Sequence, residues 1–312
     1  MASEPAGAAG KAQPRLTEWS TRRERGSVFL LRIMTFISLR IGRRAGRFFL
    51  YFIAAYFFAF APRSRRQSYN YLSRALGRKA TARDWFRQVL TFASTIHDRV
   101  YLVNAQYDLL QICVEGEALV QRYVNTGQGA FLMGAHLGSF EVTRAVGQRH
   151  PGLRVAMAMY EETANKINAQ LAAINPAAKL DIVYLGRVDA MLRIHSYLDE
   201  GAFVGVLGDR TFGSDEGQVV DFLGAPAKLP TSAMRAAAAL RRPVVFMAGL
   251  YRGGNRYQVV FEELADFSSI PPGGRPAAVH AATLRYASLL EKYCRSDPYN
   301  WFNFYDFWAG AQ

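Results

Sequence analysis

The sequence predicts an α/β protein with a mixed, mostly parallel central sheet flanked by helices, preceded by a helical region that attaches to a membrane. From residue 130 onward, short apolar runs alternate with segments that carry apolar residues at helical spacing. Such alternation gives strands joined by crossover helices. Between Phe48 and Ala61, fourteen consecutive residues carry no polar group except two tyrosine hydroxyls. We therefore expect a flexible tail at 1–25, basic and aromatic attachment helices at 26–80, and an α/β domain at 81–312 with a helical lead-in at 81–125.

The attachment region contains an expected helix at Val28–Leu39 and the apolar helix at Phe48–Ala61, which Pro62 ends. Fourteen helical residues span about 21 Å, less than the roughly 30 Å of a bilayer core. The arginines that bracket the two helices are Arg43, Arg44, Arg47, Arg63, Arg65, Arg66 and Arg74. We predict a hydrophobic hairpin or re-entrant helix, attached through residues 28–61, with its arginines near an anionic cytoplasmic leaflet. A tilted single span and a buried core helix are the alternatives.

The lead-in is expected to be helical, with Thr81 as the N-cap of its longest helix. The later elements follow in order along the chain. The expected strands are Ala130–Gly134, Leu153–Tyr160, Asp181–Leu185, Ala202–Leu207, Pro243–Leu250 and Tyr257–Glu262. The expected helices lie near 162–174, 189–198, 231–240 and 275–294. A Gly-Gly-Asn turn at 253–255 joins the last two strands as a hairpin, which makes the sheet mixed. Residues 221–230 are predicted to form a loop over the edge of the sheet.

Charge is distributed unevenly along the chain. Residues 1–80 hold 16 Lys and Arg against three Asp and Glu, whereas the remaining residues hold 22 of each. The aromatics of the basic region form one block instead of alternating with the charges, which argues against nucleic acid as a partner. Cys113 and Cys294 have no His or Cys cluster near them in sequence, so no disulfide framework or zinc site is expected. A P-loop, a dinucleotide-binding glycine motif and a zinc motif are also missing from the sequence, and no cofactor or metal is expected.

The stretch GAFLMGAHLGSFE at 129–141 carries the chemistry. Its apolar run predicts a buried strand, and the Gly and Ser after it suit a tight turn into a helix. This arrangement places His136 at the carboxyl end of a strand and Glu141 in the first turn of the next helix. Ligands collect at that edge of an open α/β sheet, and a histidine with a nearby carboxylate is a general-base pair. The sequence therefore predicts His136 and Glu141 as catalytic residues.

Further polar residues follow other expected strands and would reach the same edge. Arg187 follows the strand at 181–185, and Asp209 and Arg210 follow the strand at 202–207. Arginines there suit an anionic substrate or a developing oxyanion. We assign these three residues, together with Ser139 in the turn, to substrate binding.

These residues also carry a family resemblance. HLGSFE matches the H-x4-(D/E) motif of glycerolipid acyltransferases, and nearly the whole chain resembles the lauroyl and myristoyl transferases of bacterial lipid A biosynthesis. The segments that carry the resemblance are the basic aromatic N-terminus, Gly186-Arg187, Gly208-Asp209-Arg210, the FLG-x-P segment at 222–226 and DPYNWFNFYDFW at 297–308.

The resemblance implies a glycerolipid acyltransferase-like fold at the cytoplasmic face of the inner membrane. It implies that His136 deprotonates an acceptor hydroxyl while Glu141 orients it, and that Arg187 belongs to the active site. The hydroxyl would attack the thioester of an acyl carrier protein directly, without an acyl-enzyme intermediate or a cofactor.

Two departures from the family pattern leave the acceptor open. The segment after Trp301 lacks the basic residues usual in the lipid A branch, and Asp209-Arg210 replaces a more usual acidic or amide pairing. The acceptor could be a lipid A precursor, a related glycolipid or another lipid, and the acyl chain could be an aryl or polyene chain. A serine-type lipid hydrolase using Ser139 is a further alternative, although its context is not G-x-S-x-G. A membrane adaptor without chemistry is the third reading.

Overall fold

The computed structural model describes residues 28–150, 152–210 and 217–309, so the tail expected at 1–25 lies outside the described residues. The helices are α1 Val28–Ile41, α2 Arg43–Phe60, α3 Pro62–Leu76, α4 Ala82–Val103, α5 Glu117–Thr126, α6 Phe140–Arg149, α7 Glu161–Ile174, α8 Ala190–Asp199, α9 Ser232–Ala239 and α10 Arg275–Ser296. The strands are β1 Gln111–Glu115, β2 Phe131–Gly134, β3 Val155–Tyr160, β4 Ile182–Leu185, β5 Phe203–Leu207, β6 Gln218–Phe222, β7 Ala225–Leu229, β8 Pro243–Tyr251 and β9 Arg256–Asp266.

Seven of these strands form one sheet in the order β1-β9-β8-β2-β5-β3-β4. Strands β8 and β9 pair antiparallel, and the other neighbours in this sheet pair parallel. The predicted mixed, mostly parallel sheet is confirmed. Strand β2 lies in the middle, between β5 and β8, and the carboxyl ends of β2, β5, β3 and β4 share one edge.

Helices cover both faces of the sheet. Along β2, Phe131 and Met133 belong to the apolar cluster that includes residues of α3, α8, α9 and α10, whereas Leu132 belongs to the cluster that includes residues of α4, α5 and α6. Alternate side chains of a strand point to opposite faces, and a parallel sheet is buried on both. This explains why the strand at the start of the stretch 129–141 is apolar at every position.

Two elements differ from the sequence expectation. Strand β1 lies inside the region expected to be helical and pairs with the distant β9, so no local pattern marks it. Residues 218–229 form the antiparallel hairpin β6–β7 instead of the expected loop over the sheet edge. Its turn places Leu223 and Gly224 at φ 54° and 74°, the left-handed pair that two-residue hairpin turns require. Leucine rarely adopts this conformation, so the sequence lacked the usual turn signal.

The apolar helix α2 packs along α4. The contact uses Gly46, Leu50 and Ala54, which are buried and spaced four residues apart on one side of the helix. A Cβ at position 46 would lie 2.3 Å from Nε2 of His97 on α4, so glycine allows the two helices to approach closely. Most of the remaining surface of the helix is exposed. The exposed large apolar residues of α2 are Phe48, Phe49, Tyr51, Phe52, Ile53, Tyr56, Phe57 and Phe60.

Within the described part of the chain, no single helix has both the length and the hydropathy of a membrane span, whereas α2 and α3 reach them together across a 96° bend. Three of the bracketing arginines contact protein. Arg43 lies 2.7 and 2.8 Å from the carboxylate oxygens of the fully buried Asp98. Arg47 donates to the hydroxyl of Tyr251, and Arg74 stacks over the ring of Trp308. These three arginines are therefore held by contacts within the protein. The remaining four, Arg44, Arg63, Arg65 and Arg66, are exposed.

Candidate active site

The turn between β2 and α6 holds His136 at the middle of the sheet edge. Gly138 in this turn has φ +76°, and a Cβ there would lie 2.0 Å from the carbonyl oxygen of Gly249 on β8. Only glycine fits such a close approach to backbone. The next residue, Ser139, donates its backbone N–H to the Gly249 oxygen at 2.7 Å. Its hydroxyl accepts from the backbone N–H of Val142 at 3.4 Å, as the N-cap of α6. Ser139 is thus buried in the turn, and its hydroxyl is used as a helix cap.

Asp209 is the carboxylate hydrogen-bonded to His136. Oδ1 of Asp209 lies 2.9 Å from Nδ1 of His136, and Oδ2 accepts the backbone N–H of the same histidine at 2.9 Å. The sheet register explains this meeting. Gly134 of β2 lies opposite Leu207 of β5, and two residues further along each strand bring His136 opposite Asp209.

This hydrogen bond fixes the tautomer of the imidazole. An aspartate can only accept, so Nδ1 of His136 carries the proton and Nε2 keeps its lone pair. The His136 side chain is about one-third exposed, at 30%, whereas that of Asp209 is fully buried. The free ring nitrogen therefore belongs to a side chain that a substrate can reach from solvent, while the aspartate is hidden behind it.

The charges around the pair favour a neutral imidazole and an ionised carboxylate. Burial, followed by the positive charge of Arg210, lowers the pKa of His136 below its ordinary value of 6.5 and outweighs the opposing pull of Asp209. Burial alone would raise the pKa of Asp209. The charge of His136 and its hydrogen bonds, together with Arg210, instead hold that pKa well below its ordinary range. A neutral imidazole backed by a carboxylate is a general base.

The C-terminal segment, residues 299–308, closes one side of the site. Its backbone pairs with the histidine turn, because Gly138 N–H donates to the Asn300 oxygen and Phe302 N–H donates to the His136 oxygen, both at 2.8 Å. The indole N–H of Trp301 donates to Oδ2 of Asp209 at 3.1 Å. Sequence reasoning noted this aromatic segment as part of a family pattern but did not place it in the site.

Glu141 is in the first turn of α6, as predicted, and is 5% exposed. Its carboxylate lies 3.0 Å from Nε of Arg99 on α4. The ion pair that the structure gives Glu141 is therefore with Arg99, and the hydrogen bond at Nδ1 of His136 is with Asp209. Asp209, expected from sequence to bind substrate, occupies the orienting position that the resemblance implied for Glu141. A catalytic contribution of Glu141 stays a prediction.

The two arginines expected at the sheet edge lie at different distances from His136. Arg210 stacks over the ring of Tyr305 at 5.3 Å and is close enough to lower the pKa of His136. Arg187 follows β4, three strands from β2, which is about 14 Å away at the usual strand spacing. It is half-exposed, 5.1 Å over the ring of Tyr184 and 3.9 Å from a carboxylate oxygen of Glu161. The structure brings Arg210 to the pair and leaves Arg187 further along the same edge.

Among the described residues, no group of three or more His, Cys, Asp and Glu side chains is arranged to hold a metal ion. The site thus contains a hydrogen-bonded aspartate–histidine pair at the carboxyl edge of an α/β sheet, with Arg210 beside it and the aromatic C-terminal segment on one side. Chemically, such a pair is able to activate a hydroxyl or a water for attack at a carbonyl.

The comparison with known families narrows this chemistry. The model of the family described as bacterial lipid A biosynthesis acyltransferase matches residues 16–309, so the chain belongs to that family. The resemblance carried by HLGSFE is confirmed. The family is one of acyltransferases on lipid A-type substrates, which bring together an acyl donor and a lipid acceptor. A search among curated proteins finds no match.

Proposed function

We propose that the protein is a membrane-bound O-acyltransferase that moves a fatty acyl chain from an acyl carrier protein thioester to a hydroxyl of a lipid A precursor or a related glycolipid. The observation that supports this proposal best is the hydrogen bond between Nδ1 of His136 and the buried Asp209, which leaves Nε2 free to accept a proton. Direct attack by the acceptor needs only such a base, because a thioester carries a good leaving group.

In the proposed reaction, Nε2 of His136 takes the proton of the acceptor hydroxyl as its oxygen attacks the thioester carbonyl carbon. The new C–O bond forms, the C–S bond breaks, and the imidazolium returns the proton to the leaving sulfur. Asp209 stabilises the imidazolium without accepting its proton, since the pKa of the carboxyl is held low. Arg210 supplies a fixed positive charge beside the histidine for the oxyanion or an anionic group of either substrate.

Glu141 and Arg187 have proposed roles at the margin of this reaction. Glu141 joins the start of α6 to α4 through Arg99, so it holds the turn that carries His136. Its replacement by alanine is expected to reduce transfer strongly through a displaced turn. Arg187, half-exposed and on the same edge, is proposed to bind a negatively charged part of the acceptor headgroup.

A serine-type lipid hydrolase that uses Ser139 as its nucleophile is the weaker alternative. The Ser139 hydroxyl is buried and caps α6, a position from which a nucleophile could not reach a substrate. We expect Ser139→Ala to keep most of the activity and to lower stability by about 1 kcal/mol, the usual cost of losing an N-cap. A Ser139→Ala variant that is fully folded but inactive would instead favour the hydrolase.

Attachment to the cytoplasmic face of the inner membrane is proposed to use the exposed side of α2. Its eight large apolar side chains lie close together on one helix. Clusters of exposed apolar side chains are typical of surfaces that contact a membrane or a partner protein, whereas single exposed apolar residues are not. Four exposed arginines on α2 and α3 accompany them, which suits anionic headgroups. An amphipathic helix of this kind lies in the interface plane with its apolar side among the acyl chains.

Flotation with vesicles tests this attachment. The triple variant Phe48→Ser, Phe52→Ser, Tyr56→Ser is expected to lose most of its binding to vesicles that contain anionic phospholipid. Leu284→Ser is the matched control, because Leu284 is a similarly exposed apolar residue on α10. Equal flotation of the triple variant and wild type would remove α2 from the proposed membrane contact.

Product analysis tests the reaction itself. The full-length protein in detergent is mixed with acyl carrier protein carrying C10 to C16 chains and with purified under-acylated lipid A, and lipids are followed by mass spectrometry. Acylated lipid together with free carrier protein is the expected result. Free fatty acid without acylated lipid would indicate a hydrolase. Turnover of neither substrate, by a protein that does bind vesicles in the flotation experiment, would favour an adaptor.

A further inference from the structure

We propose that Trp301 is a positioning residue of the active site, whose indole N–H holds the Asp209 carboxylate in the orientation and charge state that His136 requires. The inference rests on the proposed function for its consequence in catalysis, but its electrostatic part can be measured without turnover. The observation that carries it is the 3.1 Å hydrogen bond from Nε1 of Trp301 to Oδ2 of Asp209, a contact buried on both sides.

The two oxygens of Asp209 have different partners. Oδ1 faces Nδ1 of His136 at 2.9 Å, whereas Oδ2 accepts two N–H groups, the backbone of His136 and the indole of Trp301. The donors on Oδ2 prevent the carboxylate from rotating and point Oδ1 at the imidazole. Because a buried carboxylate away from water depends on its hydrogen-bond donors for its charge, the indole also stabilises the ionised form.

The indole ring is held rigidly enough to perform this role. Trp301 is fully buried, and its ring meets Tyr71 at 4.8 Å and Phe307 at 4.9 Å between centroids, both edge to face. Phe222 of the hairpin β6–β7 packs on a further side at 5.5 Å. A ring packed against these aromatic neighbours cannot turn its N–H away from Asp209 without moving them.

The backbone of Trp301 is fixed as firmly as its ring. The carbonyl oxygen accepts from Nε2 of the fully buried Gln88 on α4 at 2.8 Å. The preceding residue, Asn300, bonds through its side chain to both the N–H and the carbonyl oxygen of Tyr251 on β8. Trp301 also forms an antiparallel bridge with Leu137, next to His136. These contacts join Trp301 to the turn that carries His136. The position of the proposed base therefore depends on the position of the C-terminal segment.

The charged groups that face His136 are Asp209 and Arg210. Tyr286 lies behind the same turn, donating its hydroxyl to the Gly134 oxygen at 2.9 Å, and burial together with the Asp209 charge raises its pKa so that it stays neutral. Burial likewise raises the pKa of Tyr305. Removing the indole N–H would therefore leave the Asp209 charge less neutralised and the imidazole more easily protonated.

The test replaces Trp301 by 3-benzothienylalanine, which keeps the shape of the two rings and exchanges the N–H for sulfur. The matched control carries the same residue at position 85, because the buried indole nitrogen of Trp85 has no hydrogen-bond partner among the residues that the structure describes. The pKa of His136 is measured in the full-length protein by ¹³C NMR of labelled histidines, with the resonance assigned by its loss in His136→Gln. There are five histidines to resolve.

We expect the analogue at position 301 to raise the pKa of His136 by about half a unit, as expected for loss of one donor from its partner carboxylate. We expect it to lower kcat/KM for acyl transfer about tenfold, while the analogue at position 85 changes neither. A His136 pKa equal to that of wild type would overturn the inference even if activity fell, because packing alone could explain lost activity.

A second measurement uses the unaltered protein, so that the inference can be tested even if the protein with the analogue does not fold. The ¹⁵N indole resonances of the four tryptophans are followed with pH. The chemical shift of the Trp301 resonance is expected to change with pH at the same midpoint as the titration of His136. The chemical shift of the Trp85 resonance is expected to stay constant over that range. A Trp301 resonance insensitive to that titration would overturn the inference. Because neither NMR result depends on substrate, failure of this inference is distinguishable from failure of the proposed acyl transfer.

Discussion

Replacing Asp209 by asparagine changes one atom and, on this structure, reverses the imidazole tautomer. The carboxylate accepts three N–H groups, two of them on Oδ2 from the His136 backbone and Trp301. If the single oxygen of asparagine takes the Oδ2 position and keeps these two donors, its NH₂ group faces Nδ1 of His136. Nδ1 must then accept, so the ring proton moves to Nε2, and the nitrogen that should act as base becomes a donor.

The expected loss is large because the wrong tautomer cannot take a proton from the acceptor. Enzymes in which an aspartate fixes a catalytic histidine in this way lose about 10⁴-fold in kcat on the same substitution. We expect Asp209→Asn to lose about 10³- to 10⁴-fold in kcat/KM for acyl transfer, which is about 4 to 5.5 kcal/mol of transition-state stabilisation. Substrate binding should change little, so KM should stay within a few-fold of wild type.

Glu141→Gln is the matched comparison, since it makes the same chemical change at the other candidate carboxylate. A glutamine can still accept from Arg99, so we expect a lowered unfolding midpoint and a loss in kcat/KM of no more than about tenfold. Both variants are assayed with the same acyl carrier protein thioester and under-acylated lipid A. The assignment of Asp209 would be refuted if Asp209→Asn kept near wild-type activity while Glu141→Gln lost it by orders of magnitude.

Three further outcomes follow from particular contacts. Burial and Arg210 lower the pKa of His136, and the neutral imidazole is the active form in the proposed reaction, so kcat/KM should fall only below pH 6.5. Arg210→Gln should move that acid limb upward, and an unchanged pH profile would contradict this. Arg43→Ala removes the arginine that neutralises the buried Asp98 and should lower the free energy of unfolding by about 3 kcal/mol; in urea melts, replacement of the exposed neighbour Arg44 by alanine should cost almost nothing. Gly138→Ala meets a backbone oxygen at 2.0 Å and should inactivate the enzyme and destabilise it by roughly 3 kcal/mol. Gly127→Ala is its control, because that glycine has φ +63° with open space around it and should cost about 1 kcal/mol.

Local sequence was enough to place His136 and the turn around it. The apolar run before it, the glycine and serine after it, and the alternation of strands and helices are all patterns within a few residues of one another. Glu141 in the first turn of α6 and the N-cap at Thr81 were predicted for the same reason. Each of these features depends on neighbours in sequence, which propensities and capping rules describe well.

The partner of His136 depends on strand order and could not be predicted from local patterns. Asp209 meets the histidine because β5 pairs with β2, although β3, β4 and three helices lie between them in the chain. Trp301 reaches the same carboxylate from 92 residues further on. The spacing of the HLGSFE motif suggested that the carboxylate partner of His136 is Glu141, five residues away. In the structure, Glu141 is instead paired with Arg99 on a separate helix.

The contacts of the arginines in the basic N-terminal region could not be predicted from local sequence either. A count of charge showed that residues 1–80 are strongly basic, but not which arginines face the protein. Arg43 and Arg44 are adjacent in sequence, yet one is paired with the buried Asp98 and the other is exposed. Helix packing decides between such neighbours, since residues one apart lie about 100° apart around the helix axis.

The most direct test of the central claim is the rate of acyl transfer by His136→Gln. The variant and wild type are reconstituted in vesicles with under-acylated lipid A and given labelled acyl carrier protein thioester, and circular dichroism confirms that both are folded. Removal of the general base is predicted to slow formation of the acylated lipid by about 10³-fold or more. Transfer by the folded variant within a few-fold of wild type would contradict His136 as the base.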